Sequence, residues 1–212
     1  IAVLPLDEFV EDVIDEAVVN EKTIKVNRNM RVLEIAPDGN YAKIWYSPAM
    51  DFSNDSVWHP KSILKEVVAN AGYPVAVSIA GAGDETLVSK CSVRNWTHAA
   101  KWNAASINYL IKAHDYKVVY SHFHNIDLCG HMMVQYLKTG HGDISAERMQ
   151  ELFRDVYVQT DEYLGYFMHL LDEDWTILIV SDHGQTCPEY TRADIVNTTG
   201  SMSAYVLGQL GY

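Results

Sequence analysis

Cysteine is scarce in this chain, basic residues are few, and long apolar runs are missing. The three cysteines, Cys91, Cys129 and Cys187, lie far apart among 212 residues. An odd, dispersed set is no disulfide framework, and without a CxxC pair there is no zinc ribbon or redox motif. A reducing compartment fits such thiols. No apolar run approaches the ~18 residues that span a bilayer, and no basic-then-apolar leader opens the chain, so no membrane segment is expected in it. Lysine and arginine number 16 against 28 acidic residues, a formal charge of −12. That balance argues against a nucleic-acid duplex or an anionic membrane as the main partner. An acidic chain can still act on anionic substrates where bound cations reverse the local sign. Internal repeats and low-complexity tracts are absent too.

What is present is an ordinary globular composition, 48% hydrophobic and 11% aromatic. A chain of this length can bury about 70% of the surface its unfolded form exposes and needs no staples. Two sections differ in character. Residues 1–56 read as a β-rich insert or cap. Within it Asp7–Val19 is acidic and reads as a short helix, while Thr23–Val26 and Arg31–Ala36 read as strands. Pro37-Asp38-Gly39-Asn40 is a turn signal, and Tyr41–Tyr46 alternates behind it, which predicts a hairpin.

Residues 57–212 read as an α/β core. Lys61–Ala71 is a helix opened by Pro60 and closed by Gly72. Thr97–His114 is a second, and Glu147–Leu171 is the longest, with Met149, Leu152, Val156, Tyr163, Phe167 and Leu170 on one face. Lys117–Ser121 and Thr176–Val180 are apolar runs suited to buried strands. Helix and strand alternate, so the expected fold is α/β with a mostly parallel central sheet flanked by helices.

Both runs lead into metal-ligand chemistry, where parallel sheets place their ligands. The first enters SHFHNIDLCGH, with Asp127 and His131 four apart, so one helical turn would aim carboxylate and imidazole at one ion. The second enters SDHGQ, where Gly184 gives the chain freedom to swing Asp182 and His183 toward one point. Mixed Asp/His coordination suits zinc, with manganese or iron next, better than calcium or magnesium. One Asp-His pair after a strand is usually a turn with a polar partner. Two such pairs are harder to dismiss.

His122 and His124 read as polar caps on the sheet rim, with contact to substrate or to a ligand as the sharper alternative. His98, His114, His141 and His169 read as surface residues, and Trp96, Trp102 and Tyr109 as helix core. Cys129 falls on the wrong side of a turn to join Asp127, and a structural zinc shared with Cys187 is a remote alternative. Thr186 and Tyr190 could reach a leaving group.

NIDLCGH followed some 50 residues later by ILIVSDHGQ resembles the alkaline phosphatase superfamily. Within it the resemblance is to the type I phosphodiesterase/nucleotide pyrophosphatase branch and its bacterial predicted phosphohydrolases, and it extends from Trp96 to Gln185. The resemblance implies an alkaline-phosphatase-like fold and two divalent metal ions, zinc or alternatively manganese. Asp127 and His131 would help hold one ion, and Asp182 and His183 the other. It also implies a phosphorylated small molecule or nucleotide as substrate, cleaved by in-line displacement through a phospho-enzyme. The family's upstream Asp, its Thr or Ser nucleophile and its downstream His have no counterpart among these residues. The chain is therefore expected to be the middle of a longer enzyme, partnered by the rest of its parent and inactive alone, with the catalytic nucleophile unassigned. Sulfatase, phosphonate hydrolase and phosphomutase chemistry are alternatives within the superfamily. A non-catalytic fragment or an α/β interaction domain is the alternative outside it.

Overall fold

The structure, a computed structural model, describes residues 3–77, 83–181 and 183–184. It opens with β1 (Phe9–Val19), β2 (Lys22–Ile35) and β3 (Ala42–Tyr46), which form a three-stranded antiparallel sheet in the order β1-β2-β3. β1 replaces the helix expected over Asp7–Val19. Its β-branched Val10, Val13, Ile14, Val18 and Val19 suit a pleated surface, and the long β2 offers a partner across a two-residue turn. Asn20 and Glu21 in that turn both have positive φ, 48° and 63°, as the tightest hairpins require. The second hairpin turns over Pro37–Asn40 as the sequence predicts, with Gly39 at φ 72°. A bulge between Val10 and Val13 puts Asp12 at φ 55° and lets its N–H donate to Asn29 Oδ1 at 3.1 Å.

Helices make up most of the remainder. α1 (Ser62–Ala71) is followed by a short α2 (Glu85–Leu87), which runs through a π-helical turn at Val88–Ser92 into α3 (Val93–Ala113). α4 (Asn125–Met133) and α5 (Ala146–Gly165) complete the set, with a 3₁₀ segment at Met168–Glu173. At 21 residues α3 is slightly longer than α5 at 20, because the helix expected over Glu147–Leu171 ends at Gly165. Ser145 caps α5 by accepting from the Arg148 N–H, which fixes its start.

The core lies between α3, α4 and α5. Trp96, Cys129, Met133, Met149, Leu152 and Val156 are buried together in it. A smaller cluster joins Ala100, Ala104 and Tyr163, with Phe123 and Phe167 packed against them. The face of α3 that is buried also carries polar Asn95, His98 and Ser106. Hydrophobic periodicity cannot find that face, because Asn95 and His98 are buried by hydrogen bonding to the sheet rather than by apolarity, while the Ser106 hydroxyl donates to the Trp102 carbonyl within the helix. Asn29 Nδ2 donates to Asn95 Oδ1 at 2.8 Å, and His98 Nδ1 lies 3.1 Å from Asn29 Oδ1. His98, expected at the surface, is thus a buried link between the antiparallel sheet and α3.

The mostly parallel central sheet does not form among the described residues. Lys117–Ser121 and Thr176–Val180 belong to no sheet, so α5 is not a crossover between parallel strands. A continuous apolar run specifies burial on two faces but names no neighbour. Here Val118, Tyr120, Leu178 and Val180 are each more than 80% exposed. Both runs nevertheless deliver the chain to the site described next.

Candidate metal centre

α4 supplies most of the candidate site. It buries Asn125, Cys129, Met132 and Met133 and turns the opposite face outward. His124 at the N-cap, Asp127 in the first turn and His131 in the last are spaced three and four apart, so all three share that outward face. An acidic residue in the first turn is also favoured by the helix dipole.

Asp127 is the hub. His131 Nε2 lies 3.3 Å from Asp127 Oδ1, and His183 Nε2 lies 3.7 Å from the same oxygen. His124 Nε2 lies 3.0 Å from the other oxygen, Oδ2. The carboxylate is about a quarter exposed, whereas the three imidazoles are half-exposed or more, so the cluster opens to solvent. His183 comes from the second motif, 56 positions along the chain, where the Ser181 hydroxyl donates to the His183 carbonyl at 2.6 Å. The other half of that motif, Asp182, lies outside the described residues, as do Thr186, Cys187 and Tyr190.

The donor set suits a divalent transition metal. Two ligands that share a tetrahedral zinc, each about 2.0–2.2 Å away, are separated by roughly 3.4 Å. The 3.3 Å between His131 Nε2 and Asp127 Oδ1 is close to that value, and His183, from the other motif, stands next to the pair at 3.7 Å. Among the described residues no group of three or more His, Cys, Asp or Glu side chains is arranged to hold a metal ion. The match is to one edge of a coordination polyhedron.

His122 and His124 flank Phe123, whose ring stacks on Tyr163 with centroids 3.9 Å apart. Phe123 points inward, so its two neighbours point out, with their rings edge-on at 4.9 Å. His124 is not a polar cap on a sheet rim, because Lys117–Ser121 belongs to no sheet and His124 opens a helix instead. Its position three residues before Asp127 at a helix start is the signal that places it beside the carboxylate. Cys129 is fully buried in the core behind α4, facing away from the cluster. His114 pairs with Glu66 at 2.9 Å and takes no part in the cluster.

A family model for type I phosphodiesterase / nucleotide pyrophosphatase matches residues 13–203. The chain belongs to that family. It is a phosphodiesterase/pyrophosphatase-type hydrolase, and the type I phosphodiesterase family implies a phosphoester or nucleotide substrate. No curated protein and no solved structure matches the chain. Among the described residues no helix is long and apolar enough to cross a membrane.

Proposed function

We propose that the chain contributes to metal-dependent hydrolysis of phosphoesters or nucleotide phosphodiesters at a two-metal site. Asp127 and His131 would hold one ion, and Asp182 and His183 the other, with zinc the first choice and manganese the second. The observation that carries this reading is the meeting of the two motifs: His131 and His183 both stand against Oδ1 of Asp127. A carboxylate with imidazoles from two distant motifs beside it offers the mixed oxygen and nitrogen donors that a divalent ion takes.

Bound divalent ions would supply Lewis-acid stabilisation of phosphate oxygens and a lowered pKa for the attacking oxygen. The chain's own residues would do the rest. Asp127 contributes the negative charge that makes a cation welcome, and the imidazoles contribute neutral nitrogen donors. α4 holds Asp127 and His131 at a fixed separation, so the site is formed before substrate arrives. A half-exposed cluster also leaves room for a nucleotide to enter from solvent.

The test is metal analysis of the purified full-length protein alongside hydrolysis of bis(4-nitrophenyl) phosphate. Chelation should abolish turnover, and zinc or manganese should restore it. Asp127→Ala should lower both metal content and kcat/KM, the latter by about a hundredfold or more. Undiminished hydrolysis by a chelated Asp127→Ala protein would end the metal reading.

A further inference from the structure

We infer that His124 is a positioning residue for Asp127: its imidazole fixes the carboxylate through Oδ2 and leaves Oδ1 presented to His131 and His183. The inference rests on the proposed metal reading for its purpose, but on geometry alone for the contact. Three observations converge on it.

The two carboxylate oxygens have different neighbours. Oδ2 is at hydrogen-bond distance from His124 Nε2, 3.0 Å, whereas Oδ1 faces His131 at 3.3 Å and His183 at 3.7 Å. With its proton on Nε2, His124 donates to one oxygen and so sets the rotation of the whole group. A carboxylate that ligates a metal needs such an outer hydrogen bond to hold its orientation.

His124 occupies the N-cap of α4 without capping it. The position favours a short side chain that accepts from the first backbone N–H groups. The imidazole makes no such bond. The helix start therefore gives up a cap, and the side chain is directed to Asp127 instead.

Both flanking residues are anchored in the interior. Phe123 stacks on Tyr163 at 3.9 Å, and buried Asn125 donates to Gln159 Oε1 at 2.5 Å. The backbone of His124 is gripped on either side, which fixes where its imidazole starts and leaves the ring's orientation to the contact with Asp127. A half-exposed histidine on so firmly seated a backbone is suited to orient a partner.

The experiment compares His124→Ala and His124→Gln with the unaltered full-length protein, using cobalt(II) as the metal probe. The Gln side-chain amide can donate from nearly the place of Nε2; Ala cannot. His124→Ala should weaken cobalt binding by about 10- to 100-fold, and His124→Gln should recover most of it, with the visible cobalt bands unchanged in both. In metal-free protein, NMR should detect a His124 Nε2–H signal that Asp127→Ala removes. Unchanged cobalt affinity in His124→Ala overturns the inference. So does a loss that Gln fails to rescue, accompanied by shifted cobalt bands, because His124 would then be a ligand. If the unaltered protein binds no cobalt, the metal reading fails, and the Nε2–H signal alone decides whether His124 fixes Asp127.

Discussion

Cys91 and Cys129 show what burial does to a single side chain in this protein. Both are fully buried free thiols, and burial pushes the Cys91 pKa from an ordinary 9.0 up to about 11 and that of Cys129 higher still. A thiolate is the costly form in an apolar interior, so the folded state favours the protonated one. The sign follows. With the folded pKa raised, the stabilisation is complete below about pH 9 and is lost as pH climbs toward 11. Cys91→Ala should therefore show a flatter decline in urea stability between pH 9 and 11 than the unaltered protein. Alkylation at pH 8, located by mass spectrometry, should spare both thiols until the protein is unfolded. Rapid native labelling of Cys129 would contradict its place behind α4. The same residue scale shows how far the sequence could be read. Asp127 and His131 stand out because a spacing of four on a helix has one geometric meaning. His98 does not, since its burial depends on Asn29, which is 69 positions away.

At the scale of elements, the candidate site depends on how α4 is seated. Asn125, at the start of the helix, donates to Gln159 Oε1 on α5, and Gln159 Nε2 donates to Thr97 Oγ1 on α3 at 2.7 Å. One buried amide thus ties three helices together just beneath His124 and Asp127. Its removal leaves the Asn125 amide and the Thr97 hydroxyl without this partner. Such a loss costs about 1–3 kcal/mol. Gln159→Ala should lower urea stability by that amount and speed amide exchange over Cys129–Met133. A stability change within about 0.3 kcal/mol, the noise of a surface substitution, would mean that α4 is held by its apolar face alone. α3 and α5 are legible because their apolar residues recur with helical spacing, whereas α4 is signalled only by the spacing of four between Asp127 and His131. β1 is not legible, because its acidic residues resemble an amphipathic helix and only its pairing with β2 decides otherwise. The two apolar runs failed for a related reason: composition favours a strand, but a sheet needs a neighbour that one segment cannot name.

For the whole molecule the dominant fact is charge. A formal −12 sets up a field that repels phosphates, while the cluster around Asp127 is read as a place where phosphates react. The two fit together only if cations at the site reverse the sign locally, over a few ångströms, inside a field that remains negative at longer range. Salt separates these ranges. The screening length is about 10 Å at 0.1 M ionic strength and about 30 Å at 0.01 M. Added salt therefore weakens the long-range repulsion first and leaves short contacts at the site much less changed. Raising potassium chloride from about 0.02 to 0.2 M should increase kcat/KM for anionic substrates, mainly through a lower KM. The gain should be larger for a nucleoside triphosphate, carrying about four negative charges, than for the singly charged bis(4-nitrophenyl) phosphate. A protein that instead guides substrate along a basic surface would show the reverse, a steep loss of kcat/KM with salt that is greatest for the triphosphate. That outcome would mean that net charge does not govern how substrate reaches Asp127.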